Sequence, residues 1–284
     1  MQVLALVKLN RLMAQTSGSR SVVIGLIDGP VQTTHPDFDF TEVDTLTGSI
    51  GCQRPTSVAC LHGTFVAGIL HARRGSAAPA LCPGCRLLVR PIFAEGDGAG
   101  FPSCEPEDLA LAVVECVRAG ARLLNLSVGL LHASPRAVKA LEEALDLAAR
   151  EGVLVLAASG NQGSVGTSAL ARHPAVLPVA AATSNGLIAN LSNLGHSVGR
   201  KGLAAPGDSI ESLAPNGLTR KFGGTSAATP FVTGTAALLW SLFPNASVAR
   251  IRQSMLHAAR RPTRASIVPP LLDAQAAWDY LRAA

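Results

Sequence analysis

Rings are scarce in this chain: Phe, Trp and Tyr make up 4% of its 284 residues. A core so poor in aromatics has to be assembled from Ala, Val and Leu. Charge is thin too, at 15% against 48% hydrophobic residues, which excludes a disordered chain. The charge balance is only +5, and Lys and Arg never stand more than two in a row. Without a basic run or interleaved aromatics there is no nucleic-acid footprint. No apolar run reaches the ~18 residues of a membrane-crossing helix, so no membrane partner is expected. The opening "MQVLALVKLNRLMAQTSGSR" has no basic start ahead of its short "VLALV", and Lys8 and Arg11 follow at once. It reads as a short amphipathic helix rather than a secretory signal, and a cytoplasmic protein is expected. No low-complexity linker or internal repeat divides the chain, so residues 1–284 read as one domain with a helical extension over 1–20.

Cys82 and Cys85 form a CxxC in "CPGC". Zinc would need two further ligands, with Cys52 and Cys60 as the candidates. A helix expected from His62 to about Arg73 would carry the chain ~16 Å away from Cys60, which argues against that site. Cys52–Cys60 and Cys82–Cys85 are conceivable disulfides, but free thiols are the expectation in the cytoplasm.

What is present is an alternation. "VVIGLI" (22–27), "RLLVRPIF" (86–93), "ARLLNLSVG" (121–129), "VLVLAAS" (153–159) and "AVLPVAAA" (175–182) are short apolar runs of the kind that form buried parallel strands. Between and after them come helical patterns over 63–72, 106–120, 134–152, 225–243, 247–260 and the terminal "DAQAAWDYLRAA". Pro and acidic residues open the second of these, and Ser134-Pro135 opens the third. Short loops join them. The fold class is therefore α/β, a doubly wound, mostly parallel sheet with helices on both faces. Functional residues in such sheets gather at the carboxyl ends of the strands.

Asp28 closes the first strand, His62 precedes "GTFVAGIL", Asn161 sits between Gly160 and Gly163, and Ser226 follows "GGT" at the head of an apolar helix. Taken singly, each has a plain reading: a turn Asp, a packed imidazole, a turn Asn, a helix cap. Taken together, Asp28, His62 and Ser226 stand in the chain order in which subtilisin carries its trio. "LIDGPVQTTHPDF", "HGTFVAGIL" and "GTSAATPFVTGTAALL" resemble the Asp, His and Ser blocks of the subtilisin-like serine proteases (subtilases). "LNLSVG", "AASGN" and "LAAPGDSI" resemble further segments of that family, so the likeness covers roughly 20–280.

The resemblance implies a subtilisin-like fold and peptide-bond hydrolysis. Ser226 would be the nucleophile, His62 the general base and acid, and Asp28 the group that orients His62. Asn161 and the Ser226 N–H would form the oxyanion hole, with Gly223 and Gly224 allowing close approach. Ser127, Val128 and Gly129 would form one wall of the substrate pocket and Ala158, Ser159 and Gly160 the other. The pocket base is expected near Thr167–Ser168. Glu95 and Asp97 fall on a segment resembling the edge that meets more distant substrate residues, where they could attract a basic residue, but a solvated acidic loop is the favoured reading. Pro230 is expected inside the first turn of its helix, where a missing N–H is tolerated.

Some features depart from most of the family. "DGPV" after the first strand resembles the proteases that remove leader peptides in cyanobactin-type ribosomal peptide maturation, and the short N-terminal segment implies no folding prodomain. Phe65 stands where a second His is common. Asp37 matches a calcium ligand of many relatives, but the loop that would supply the other ligands aligns with "RRGSAAPAL", which has no Asp or Asn and two arginines. No metal and no cofactor is expected. The expected partner is a precursor peptide; the alternative is a general intracellular subtilase of broad specificity. A Rossmann-like nucleotide-binding domain is the less favoured reading, because "IDGPVQTTH" lacks the Gly-x-Gly-x-x-Gly turn. A non-catalytic binding relative is opposed by the intact trio and Asn161.

Overall fold

A computed structural model describes residues 2–39, 42–46, 51–96, 103–130, 135–166, 168–258 and 266–283. The helices are α1 (Gln2–Leu6), α2 (Leu9–Gln15), α3 (Val58–His71), α4 (Pro106–Arg118), α5 (Pro135–Arg150), α6 (Ala169–Arg172), α7 (His196–Lys201), α8 (Thr225–Leu242), α9 (Val248–Ala258) and α10 (Ala274–Arg282). The strands are β1 (Val23–Asp28), β2 (Val43–Thr45), β3 (Arg86–Pro91), β4 (Ser103–Cys104), β5 (Leu123–Leu126), β6 (Gly129–Leu130), β7 (Leu154–Ala158), β8 (Val176–Ala182), β9 (Leu203–Pro206), β10 (Ile210–Ala214) and β11 (Leu218–Phe222).

Seven strands form one sheet in the order β2-β3-β1-β5-β7-β8-β9, and every pairing in it is parallel. Side chains alternate between its faces. Ile24, Leu26, Leu154, Leu156, Leu177 and Val179 join the core beneath α3 and α8. Ile27, Leu124, Leu126, Val155 and Ala157 join the second core with α4 and α5. Both faces are buried, which is why the strands read as continuous apolar runs. From β1 the chain builds outward to β3 and β2 on one side and to β5, β7, β8 and β9 on the other. The carboxyl end of β1, where Asp28 lies, is thus the switch point at which such sheets open a crevice.

α8 crosses the sheet as the central helix, apolar on all sides and buried from Ala227 through Trp240. Buried on every face, it needs no amphipathic stripe. Pro230 is the sixth residue of α8 and lies beyond the first turn, contrary to the expected placement. Its missing N–H would have bonded the Ser226 carbonyl; the Ser127 hydroxyl donates to that carbonyl instead, at 3.2 Å.

Three other expectations change. The N-terminal segment forms two short helices, α1 and α2, with Leu4, Leu9, Leu12 and Met13 packed into the core. The helix expected from His62 begins at Val58, capped by Ser57, whose Oγ accepts the Cys60 N–H at 3.1 Å. That earlier start brings Cys60 to within 5.5 Å (Cα–Cα) of Cys52, and the two form a disulfide rather than free thiols. Cys82 and Cys85 are free and buried.

Candidate active site

Asp28 is fully buried at the end of β1. His62 stands in the second turn of α3, not ahead of the helix, and its Nδ1–H donates to Asp28 Oδ1 at 2.6 Å. Two glycines make this approach possible. A Cβ on Gly29 would lie 1.9 Å from the Ala59 carbonyl oxygen, and one on Gly63 would lie 2.2 Å from the Gly29 oxygen. The same contact explains the unusual residue after Asp28. No hydroxyl-bearing side chain fits at position 29, so residue 29 reaches the carboxylate through its N–H, again on Oδ1, at 2.6 Å. Asp28 Oδ2 is buried without a partner among the described residues. Burial is the largest influence on His62 and acts to lower its pKa, but the charge and hydrogen bond of Asp28 outweigh it and leave the pKa above 6.5.

Ser226 is half-buried in the first turn of α8. Its hydroxyl donates to the Ser127 carbonyl in a long contact of 3.4 Å. Around it the helix-start N–H groups are used: Ala227 and Ala228 bond the Gly224 carbonyl, and Thr225 bonds Asn161. Among the described residues nothing accepts the Ser226 N–H. Asn161 reaches the same place from the loop after β7. Its Oδ1 accepts both the N–H and the hydroxyl of Thr225, at 2.8 and 2.9 Å, which leaves Nδ2 as the donor end of the amide. Gly224, with φ +118°, makes room, because a Cβ there would sit 3.1 Å from the Asn161 amide. His62, Asn161 and Ser226 line one cavity.

Of the two expected walls, Ser127 bonds Ser226 and Gly160 bonds Thr225, while none of the six wall residues lines the cavity that His62, Asn161 and Ser226 share. Ser127 and Val128 are buried just past β5, and Gly129 pairs in parallel with Ser103 of β4. Ala158 and Ser159 are buried at the end of β7, and Gly160, at φ +103°, donates its N–H to Thr225 Oγ1 at 3.2 Å. Glu95 does not face open solvent as a free acid. It accepts the N–H groups of Gln53 and Arg54 and the Ser57 hydroxyl, and so secures the segment leading into α3. Ser168 caps α6 by accepting the Ala171 N–H at 3.1 Å. Thr167, Asp97 and Ser134 lie outside the described residues. The Asp37 carbonyl accepts the Arg73 N–H, and the Arg74 guanidinium bridges the carbonyls of Met13, Thr16 and Leu81.

Sequence reasoning missed several supporting residues. Thr225 orients Asn161. Asn193 braces the same loop, accepting from the N–H groups of Gln162 and Ser164 through its Oδ1. Thr233 donates to Asn125 Oδ1 at 2.8 Å, and Asn125 Nδ2 donates to Ser127 Oγ at 2.9 Å. This fully buried chain ties the pocket wall to the helix that carries Ser226. The local signal for it was faint: one Asn in an apolar strand and one of the four threonines of α8, each a buried polar group that needs a partner.

Comparison with known proteins places this geometry. Subtilisin amylosacchariticus of Bacillus subtilis subsp. amylosacchariticus is 29% identical over 254 residues, 88% of this chain. The chain spans 63% of that relative's length. A mutant of the protease domain of PatA superposes with a TM-score of 0.85 at 32% identity, covering 94% of this chain and 97% of that one. The prenylagaramide maturation protease PagA gives 0.84 at 30% identity, covering 96% and 98%. The sequence pattern of the subtilase family matches residues 19–276, and this chain belongs to that family.

Proposed function

We propose that the chain is a serine endopeptidase whose substrate is a ribosomally made precursor peptide, from which it removes the leader. The 2.6 Å bond between His62 and Asp28, opening onto the cavity shared with Ser226, carries the chemical half of this reading. Ser226 Oγ turns about its Cα–Cβ bond from the Ser127 carbonyl to His62 and attacks the scissile carbonyl. His62 Nε2 takes the hydroxyl proton, and Asp28 balances the resulting imidazolium. The oxyanion is held by Asn161 Nδ2 and the Ser226 N–H, at a helix start whose dipole favours negative charge. His62 then protonates the leaving amine. Water, activated by the same imidazole, releases the acyl group and restores Ser226.

Substrate backbone would lie along Ser127–Gly129 as an added strand, with Ala158–Gly160 opposite. The maturation half rests on the likeness to PatA and PagA, the latter described as a maturation protease. Among the described residues no helix is long and apolar enough to cross a membrane. Leader removal would take place beside newly made precursor in the cytoplasm, where the Cys52–Cys60 bridge would tend to be kept reduced.

A fluorophosphonate probe tests the chemistry. The expected adduct is on Ser226 and disappears in His62→Ala; labelling elsewhere would refute the assignment. Digestion of a peptide library against leader-bearing precursors then separates maturation from broad proteolysis. One dominant cut between leader and core is expected, and indiscriminate cleavage would favour a general subtilase.

A further inference from the structure

Among the described residues, one cluster of metal-ligating side chains lies outside the candidate active site: Cys52, Cys60 and Glu95. Their two sulfurs and a carboxylate oxygen all lie within 4.8 Å of one another. Cys60 is fully buried in the first turn of α3, while Cys52 and Glu95 are half-buried. The two sulfurs are joined as a disulfide. We propose that, when this bridge is reduced, the two thiolates and Glu95 bind a zinc ion, which takes over from the bridge in pinning the start of α3. The inference stands independently of the reaction proposed for Ser226.

Glu95 keeps the cluster together once the S–S bond is open. Its carboxylate accepts the N–H groups of Gln53 and Arg54, at 2.8 and 2.9 Å, and the Ser57 hydroxyl at 3.2 Å. All three donors belong to the loop between the two cysteines, so that loop stays wrapped around the carboxylate without the bridge. Ser57 also holds Cys60 by accepting its N–H at 3.1 Å. Each sulfur therefore remains beside the carboxylate. A carboxylate has roughly four acceptor directions, and these bonds use three, which leaves one for a metal. Hydrogen bonds of this kind to a ligating carboxylate are the outer layer that orients it. Sequence spacing gives no reason to pair Glu95 with the two cysteines; the fold brings it there from the loop after β3.

The donor set selects the metal. Two thiolates suit zinc and do not suit calcium or magnesium, which take oxygen ligands. Zinc bonds of ~2.3 Å to sulfur and ~2.0–2.2 Å to oxygen put tetrahedral ligand atoms roughly 3.5–4 Å apart, within reach of small side-chain rotations. Water completes the fourth position from the half-exposed side, which is also the entry path. Charge agrees as well. Two thiolates and a carboxylate around a dication leave a net negative charge, and it sits at the positive end of α3. Opening the bridge takes two electrons from a dithiol, which itself becomes a disulfide, and yields two thiols. Zinc binding then releases the two thiol protons to solvent.

Cobalt(II), a coloured stand-in for zinc, reads the site directly. The protein is reduced with a water-soluble phosphine, which leaves as its oxide, then desalted without air and titrated with Co²⁺. A saturating thiolate-to-cobalt charge-transfer band and the ligand-field bands of a tetrahedral centre are expected, both abolished by added zinc. The oxidised protein keeps the free thiols of Cys82, Cys85, Cys104 and Cys116 and should show neither band. Reduced Cys52→Ser should show neither, and reduced Glu95→Gln should bind cobalt at least about tenfold more weakly. Zinc should also raise the Tm of the reduced protein by several degrees and leave that of the oxidised protein unchanged. A reduced protein without the bands, or one whose Tm zinc does not move, would overturn the site. The same bands in the oxidised protein or in Cys52→Ser would overturn it too, by placing the metal on other thiols.

Discussion

The backbone N–H and the hydroxyl of Thr225 both bond one oxygen of Asn161, at 2.8 and 2.9 Å, so the residue before the proposed nucleophile sets the direction of the proposed oxyanion donor. Asn161→Ala should lower kcat by about 10²–10³-fold, a loss of roughly 2.7–4 kcal/mol, with little change in KM. Thr225→Val keeps the backbone bond and loses the hydroxyl, so a smaller fall in kcat of about tenfold is expected, in line with one charge-free hydrogen bond. Single-turnover kinetics on both variants checks this. A Thr225→Val enzyme slower than Asn161→Ala would mean that Thr225 acts other than through Asn161.

In the proposed mechanism His62 works as a base only when neutral, and the charge and hydrogen bond of Asp28 keep its pKa above the ordinary 6.5. Activity should therefore fall as pH drops, with the midpoint of the acid limb of kcat/KM above 6.5. Stability has the opposite sign. The interaction favours the protonated ring, so its contribution is complete below the unfolded pKa and fades as pH rises through the folded one. In Asp28→Asn only burial remains, and the acid limb should move down while kcat falls by on the order of 10⁴-fold. A pH–rate profile of both enzymes decides it.

Arg74 occupies a bridging place between the N-terminal segment and the loop before β3. Its guanidinium bonds the carbonyls of Met13, Thr16 and Leu81. A fixed cation there removes the need for a bound one. Arg74→Met should cost about 1–3 kcal/mol, a Tm loss of several degrees. Calcium should leave the Tm of the unaltered protein unchanged. A calcium-dependent rise of several degrees would contradict this reading.

The Cys52–Cys60 disulfide closes a short loop directly ahead of His62. Its removal should cost up to about 2–3 kcal/mol. Thermal unfolding with and without reductant measures this, with Cys52→Ser as the control in which reductant has no effect.

Sequence alone determined the parallel α/β architecture, because strands buried on both faces must be continuously apolar and the helices between them must be periodic. It also marked Asp28, His62, Asn161 and Ser226, through their chain order and the likeness of the surrounding blocks to the subtilases, each having a plain reading when taken singly. Tertiary structure decided what lies between distant segments. The start of α3 at Val58, and with it the Cys52–Cys60 pairing, depends on Ser57 and on Glu95 reaching across from another loop. The chain from Thr233 through Asn125 to Ser127, and the Asn193 brace, join residues far apart in sequence that carry no local signature. Glu95 read as part of a solvated acidic loop, and only the folded chain shows its oxygens occupied. Periodicity reports which face of an element is buried; it does not report which polar group meets which across the core, because that depends on packing.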